Sequence, residues 1–392
     1  MSALSPSTES LLRCKYFDAG SCRSCSQLGT LEGQQGKQKF DRLRDLMLGT
    51  FGAQVKVTAL FQPRQLYPSR AKAKLAVTGT LAEPVLGLVD AHGRGQDLLD
   101  CALTLPVLNR IARTLRALIQ EAKLTPYDIQ TRRGELKYLL LSTNQAQSEV
   151  MLRFVVRSTE AVPRIKKRLT DLQQVHPELR VCSVNIQPKP AAILEGPQEI
   201  FLTEQGCIHE SYASAKVLFA PQTFMQVTPE VASALYAAAS DMLGSALYAS
   251  ALDLFCGVGG FSFSLRERVA QLVGVELSPA AIACAQAVTA LNSFPAASFV
   301  AADALQYLRS QPAQKFELIV TNPPRRGLGR EIVAELQRLE PKTILYSSCN
   351  PETLVADLRQ LGSGYLLHEC RPFDMFPLTD HLEVLARIER RG

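Results

Sequence analysis

The apolar pattern changes character a little beyond the middle of the chain. Up to residue 215, short alternating stretches are mixed with amphipathic ones. Residues 55–60 and 72–78 alternate as strands, with a Pro- and Arg-bearing loop between them. Leu108, Ile111, Leu115 and Leu118/Ile119 recur at helical spacing and predict a helix over 107–122. Residues 138–142, 150–157 and 181–187 read as further strands, and 34–48 and 164–174 as helices, the latter with basic residues on its outer face. This first part is α+β, runs from 12 to 215 after a disordered lead at 1–11, and closes in a turn region at 208–215. The second part, 216–392, opens with Thr228-Pro229-Glu230, a helix start with threonine as cap and proline at the first helical position, followed by an Ala-rich helix over 231–243. From residue 251 onward β and α units alternate at regular spacing, which predicts a doubly wound parallel α/β sheet.

Composition narrows the class without naming a function. A chain of 392 residues with 46% hydrophobic and 20% charged residues has the makings of a soluble protein of two or three domains. No apolar run approaches the ~20 residues of a membrane helix, so no membrane partner is expected. The polar N-terminus lacks the basic start and apolar core of a signal peptide. A cytoplasmic protein is therefore expected, its ten cysteines reduced or metal-bound rather than disulfide-paired. The net charge of +6 is compatible with an acidic partner such as nucleic acid, and basic residues concentrate at 64–74, 132/133 and 164–168. A charge cluster can equally be a solvated face.

Cys14, Cys22 and Cys25 lie close together in a Gly/Ser-rich stretch, and Cys101 follows far off in sequence. The Cys-x2-Cys pair lets both sulfurs reach one centre from a single turn, and a fourth thiol would complete tetrahedral zinc or a [4Fe–4S] cube. Spacing alone favours zinc and leaves unligated thiols open.

The second part carries the chemistry. Residues 251–255 form a buried strand that runs into Cys256-Gly-Val-Gly-Gly260 and a helix from Phe261. Gly257 and its neighbours permit a sharp strand-to-helix turn and a close backbone approach by a ligand. Glu276 ends the next strand, where a carboxylate can accept from ribose hydroxyls. The third glycine of a dinucleotide fingerprint is replaced by Ser262, so a ligand without a pyrophosphate fits better, S-adenosylmethionine ahead of NAD. Asp303 can accept from an adenine amine or cap a helix. After residues 316–320 comes Thr-Asn-Pro-Pro-Arg-Arg-Gly (321–327), whose prolines stiffen the loop and fix the Asn322 amide near a substrate. Enzymes that methylate amino groups of bases often place an aromatic residue after such a Pro-Pro; here it is Arg325.

Cys349 follows the apolar run 343–346, where it is either a small core residue or a nucleophile. A thiolate beside a methyl donor has one specific use. Adding to C6 of a pyrimidine, it makes C5 nucleophilic enough to take a methyl group. A base must then remove the C5 proton so that the thiol can leave. Glu383 is placed for that, with His381 second; a surface role for Glu383 is the plain alternative.

Taken together, Asp-Leu-Phe-Cys-Gly-Val-Gly-Gly-Phe (253–261), Asn-Pro-Pro-Arg-Arg-Gly (322–327), Tyr-Ser-Ser-Cys-Asn (346–350) and Phe-Asp-Met-Phe-Pro (373–377) resemble the RNA uracil-C5 methyltransferases. The likeness extends to 132–138 and 184–188. It implies a Rossmann-like S-adenosylmethionine-dependent methyltransferase domain preceded by an α+β iron–sulfur domain. It makes Cys349 the nucleophile and Glu383 the base, with the cofactor held by Gln226, Phe255, Glu276 and Asn322 beside Gly257 and Asp303. It also implies a [4Fe–4S] cluster on Cys14, Cys22, Cys25 and Cys101 in place of zinc. The implied partner is 23S rRNA, methylated at a uridine of the 747 type, with no obligatory protein partner. There is no room here for the N-terminal RNA-binding barrel of some relatives, which favours that branch. Departures include Asn322 where the broader family often has Asp, Arg70-Ala71-Lys72 for Arg-Asn-Lys, and Phe-Met-Gln-Val-Thr-Pro at 224–229. Alternatives are another rRNA or tRNA uridine, a non-catalytic RNA-binding module, and a cytosine-C5 enzyme, which would carry a second cysteine at the Pro-Pro loop.

Overall fold

The computed structural model describes residues 12–90, 93–190 and 194–391; the lead expected to be disordered, 1–11, lies outside the described residues. An eight-stranded sheet forms the base of the second half. Its spatial order is Lys56–Val57, Tyr365–Phe373, Glu383–Arg390, Thr343–Ser348, Leu318–Thr321, Tyr248–Leu254, Val269–Glu276, Ala297–Ala301. All neighbours are parallel except Glu383–Arg390, which runs antiparallel to the strands on both sides. Strands Leu318–Thr321 and Thr343–Ser348 are buried along their whole length, as expected for central parallel strands covered on both faces. One face is covered by helices Pro229–Met242, Gly260–Ser264 and Pro279–Ala287, the other by Glu32–Phe51, Ala304–Arg309, Gly329–Leu339 and Pro351–Leu361.

A second, seven-stranded sheet is ordered Gly95–Asp97, Pro84–Val89, Lys72–Gly79, Leu136–Thr143, Val150–Val156, Leu179–Ile186, Gln198–Phe201. Its only parallel pair is the one joined by helix Val162–Val175. That helix and Pro106–Glu121 bury Ile111, Leu115, Ile165 and Leu169 against Leu139, Leu152, Phe154 and Val184.

Several elements differ from the sequence expectation because tertiary partners recruited them. The strand expected over 55–60 shrinks to Lys56–Val57, held by parallel pairing with Glu369 and Cys370. Residues 208–215, expected as a turn, belong to a hairpin, Ile208–Tyr212 with Ala215–Phe219. Its inward residues Ile208, Tyr212, Val217 and Phe219 join the core around Leu235 and Tyr236. Sheet membership therefore does not follow a division at 215/216: Glu32–Phe51 and Lys56–Val57 pack on or extend the second sheet, and the hairpin straddles that boundary. Thr228 does precede helix Pro229–Met242, but its hydroxyl makes no cap bond and donates instead to the Met375 carbonyl at 2.9 Å.

One buried ion pair ties the N-terminal helix to the second half. Lys39 Nζ lies 2.6 Å from Asp374 Oδ1 with both side chains sealed from solvent, and it also donates to the Phe376 carbonyl at 3.0 Å. Burial pushes the Asp374 carboxyl up and the Lys39 ammonium down, each opposed by the other's charge. Lys39→Met would leave a carboxylate buried without its counter-charge. Chemical denaturation is expected to show a loss of about 3–5 kcal/mol.

Candidate active site

In open α/β sheets, ligands gather beyond the carboxyl ends of the strands where the strand order reverses. Here that point lies between Tyr248–Leu254 and Leu318–Thr321. The turn after Tyr248–Leu254 needs left-handed backbone at Phe255 (φ 59°), Gly257 (φ 54°) and Gly259 (φ 89°). Phe255 is the costly one, a bulky residue in a region L-residues avoid. The glycines have distinct reasons. A Cβ on Gly260 would meet the Tyr236 ring at 2.5 Å and one on Gly259 the Phe263 ring at 2.7 Å, whereas nothing lies within 4 Å of the Cβ position of Gly257. Open space directly above a tight turn is room for a ligand.

The other expected cofactor residues stand at the ends of adjacent strands. Glu276 ends Val269–Glu276 and accepts from the Ser278 amide at 2.9 Å. Asn322 follows Leu318–Thr321, its backbone N–H donating to the Leu254 carbonyl at 3.4 Å. Gln226 is buried in the segment that leads into helix Pro229–Met242. Asp303 is exposed and caps helix Ala304–Arg309 through the Gln306 amide at 3.0 Å, the second of its two expected uses. Beneath them Asp253 is fully buried and receives the Ser262 hydroxyl at 2.6 Å, with its other oxygen unpartnered. Burial pushes its carboxyl up to about 7.

Cys349 and Glu383 are brought together by register. The antiparallel ladder pairs Thr343 with Glu389 and continues to Ser348 with Val384. Cys349 follows directly on that strand end, close enough to Glu383 for the carboxylate's charge to act on its thiol. Residues two apart on a strand share a face, so Ser347 lies diagonal to Glu383 on that face, and its hydroxyl donates to the Glu383 carboxylate. Glu383 is 2% exposed, and burial pushes its carboxyl up to about 7, restrained by the Ser347 hydrogen bond. Cys349 is half-buried; burial and the negative charge of Glu383 raise its thiol, and Arg325 pulls it back. His381 is exposed at the rim, 3.4 Å from the Arg325 guanidinium and edge-on to Phe376, while burial and Arg325 lower it.

Sequence reading missed the group that joins the Pro-Pro loop to strand Thr343–Ser348. Asp357 is 3% exposed and accepts from the Leu328 amide at 2.7 Å, the Gly329 amide at 3.2 Å and the Tyr346 hydroxyl at 2.6 Å. A Cβ on Gly327 would stand 2.6 Å from this carboxylate. The Arg325 carbonyl in turn accepts from Asn350 Nδ2 and Thr353 Oγ1, both at 3.3 Å. A signal was present: Asp357 sits on the same helical stripe as Leu354, Leu358 and Leu361, a charge among core positions. Asp357→Ala would leave two backbone amides and a phenol unsatisfied behind the loop. Its kcat is expected to fall at least about tenfold with folding retained, as read by circular dichroism beside a methyl-transfer assay.

The cysteines Cys14, Cys22, Cys25 and Cys101 line one cavity of about 150 Å³, although among the described residues no three ligand side chains have converged on metal-binding geometry. Four thiols around one space suit a four-thiolate group in kind and number. The loop that carries two of them reaches toward the segment just before Glu383. The Gln27 amide donates to the Leu378 carbonyl at 3.1 Å, and Ser26 Oγ and Gln27 Nε2 donate to Asp380 at 2.7 and 2.8 Å.

Residues 211–391 match the family described as tRNA (Uracil-5-)-methyltransferase. The chain is 40% identical to the 23S rRNA (uracil(747)-C(5))-methyltransferase RlmC of Shewanella loihica, over 97% of this chain and the whole of that protein. It is 39% identical to the same-named protein of Escherichia fergusonii, again over 97% of this chain and the whole of the relative. The chain belongs to the RNA uracil-C5 methyltransferases. Among solved structures it is similar to the Pyrococcus abyssi tRNA (uracil-54, C5)-methyltransferase in complex with S-adenosyl-L-homocysteine. The TM-score is 0.76 at 24% identity, covering 93% of this chain and 85% of that one, which shows a shared methyltransferase fold. Among the described residues, no helix of the methyltransferase is long and apolar enough to cross a membrane.

Proposed function

We propose that this methyltransferase transfers the methyl group of S-adenosylmethionine to C5 of a uridine in 23S rRNA, at a site of the 747 type. The observation that supports this chemistry is the nearness of the Cys349 thiol, just past strand Thr343–Ser348, to the buried Glu383 carboxyl, whose charge acts on it. The choice of RNA is supported by relatives of that name matching over their full length.

S-adenosylmethionine would supply the electrophilic methyl group from the space above Gly257, held by Phe255, Glu276, Asn322 and Gln226, with Asp303 at the edge. The target base must leave its stack to reach Cys349. The Cys349 thiolate adds to C6, and C5 becomes the nucleophile that takes the methyl group. Glu383 then removes the C5 proton, and the electrons returning to the ring expel the Cys349 thiolate. A carboxyl poised near 7 is well matched to that task. Arg325, half of the Arg325/His381 rim, lowers the cost of forming the thiolate.

Cys14, Cys22, Cys25 and Cys101 would hold a [4Fe–4S] cluster. Its role would be structural, because methyl transfer moves no electron and the cysteine loop is hydrogen-bonded to Asp380, three residues before Glu383. Anaerobically prepared protein is expected to be coloured, absorbing near ~400 nm from thiolate-ligated iron. Colourless protein containing zinc would restore the zinc reading.

The test of the activity is transfer of a labelled methyl group to unmodified 23S rRNA, with the modified nucleotide mapped. Label in 5-methyluridine at position 747 is the expected result. Label at another uridine would keep the chemistry and overturn the site, and label only in tRNA would overturn the choice of RNA.

A further inference from the structure

Ten cysteines divide unequally among roles. Four line the shared cavity, and Cys349 lies close enough to Glu383 to feel its charge. Cys182, Cys256 and Cys370 are buried, and burial raises each thiol well above its ordinary value. Such thiols are inert. Cys207 and Cys284 remain, 77 positions apart in sequence, with their sulfurs 3.7 Å apart.

These two belong to different parts of the fold. Cys284 is 3% exposed on helix Pro279–Ala287, which starts just beyond Glu276 at the edge of the cofactor space. Cys207 is half-buried, one residue before strand Ile208–Tyr212, and its carbonyl accepts from Gln205 Nε2 at 2.7 Å. Nearby, His209 is exposed, with Nδ1 3.1 Å from Glu149. The sulfur contact and His209 both favour the Cys207 thiolate, while Cys284 is held as the thiol. One half-buried, activated thiol beside one buried, resolving thiol is an arrangement that suits thiol–disulfide exchange.

We propose that Cys207 and Cys284 form a reversible disulfide, made by exchange with a small-molecule disulfide and tying the hairpin segment to the helix that follows Glu276. The Cys207 thiolate attacks one sulfur of the oxidant and releases the other half as a thiol, leaving a mixed disulfide on Cys207. With the Cys207 thiolate gone, Cys284 gives its proton to water and attacks the Cys207 sulfur, expelling the second half as a thiolate that water protonates. Two protein thiols are oxidised by two electrons, and one small-molecule disulfide is reduced to two thiols. Bonding requires the sulfurs to close from 3.7 Å to about 2.05 Å.

The test is anaerobic equilibration of the full-length protein in mixtures of reduced and oxidised glutathione, followed by acid quench, alkylation under denaturing conditions and peptide mapping. The expected result is a cross-link between the Cys207 and Cys284 peptides that is reversed by reductant, with Cys182, Cys256 and Cys370 alkylated throughout. Cys284→Ser is expected to trap glutathione on Cys207. Oxidised wild-type protein should melt on the order of 5 °C above its reduced form, and the Cys207→Ser variant should show no such shift. Alkylation of both cysteines at every mixture ratio would overturn the proposal, as would glutathione retained on Cys207 of the wild type. The mapping of wild-type protein stands whether or not either variant folds.

Discussion

Cys349→Ala protein binds S-adenosylmethionine and RNA and transfers no methyl group: that is the expected result with the largest effect. The substitution removes one half-buried sulfur at the end of strand Thr343–Ser348, and the strand's own pairing does not use that side chain. Folding and both binding steps should therefore survive. Without addition to C6, C5 cannot attack the methyl sulfonium, so the loss should be at least ~10³-fold in kcat. The measurement is single-turnover transfer of labelled methyl, with RNA retention on a filter as the binding control. Turnover near the wild-type rate would remove Cys349 from the mechanism.

The second large effect is at Glu383. Glu383→Gln keeps the shape and can still receive the Ser347 hydroxyl, but it cannot take a proton. Addition and methyl transfer should proceed, and the enzyme should stall as a covalent RNA adduct on Cys349, seen as a protein band of retarded mobility that ribonuclease collapses. Absence of adduct, under conditions where the wild type turns over, would count against the base assignment. The pH dependence follows from the same residue. As the proposed base, Glu383 would act only when ionised, and burial pushes its carboxyl up to about 7, so wild-type kcat/KM should climb as pH rises through that value. The raised Cys349 thiol extends the climb to higher pH.

Stability should run the other way. The folded protein holds the Glu383 proton up to about 7, whereas the unfolded chain gives it up near 4.5, so between these values the folded state binds more protons and loses stability as pH rises. Above that window Glu383→Gln should be more stable than wild type by roughly 3 kcal/mol, and below pH 4.5 nearly equal to it. Denaturant titrations at pH 4 and pH 8 distinguish this from a merely structural role. A carboxyl that destabilises the fold while serving the reaction is a familiar trade between stability and activity.

Much of this protein was legible before any coordinates. The helical spacing of Leu108, Ile111 and Leu115 and the alternation of strands and helices after residue 251 led to helix Pro106–Glu121 and to the parallel part of the second sheet. Local patterns of this kind report directly on which side of an element faces a core. The expected cofactor residues Phe255, Gly257, Glu276 and Asn322 sit at the ends of strands adjoining the switch point because strand ends are marked by where apolar runs stop.

What the sequence by itself determined was chemistry: a thiol and a carboxyl at strand ends, glycines at a turn, and four cysteines of metal-site type. Tertiary structure decided which of these meet. Antiparallel pairing of strands Thr343–Ser348 and Glu383–Arg390 brings the end of the first, which Cys349 follows, to the start of the second, where Glu383 stands. Burial, invisible in a string of letters, brings Glu383 to about 7 and leaves Asp303 at the surface as a cap. The contacts among Asp357, Tyr346 and the Leu328 amide, and the approach of Cys207 to Cys284, likewise have no local sequence cause. They arise because long-range packing, which rests on nonlocal apolar burial rather than on local propensity, chooses among partners that the sequence offers equally.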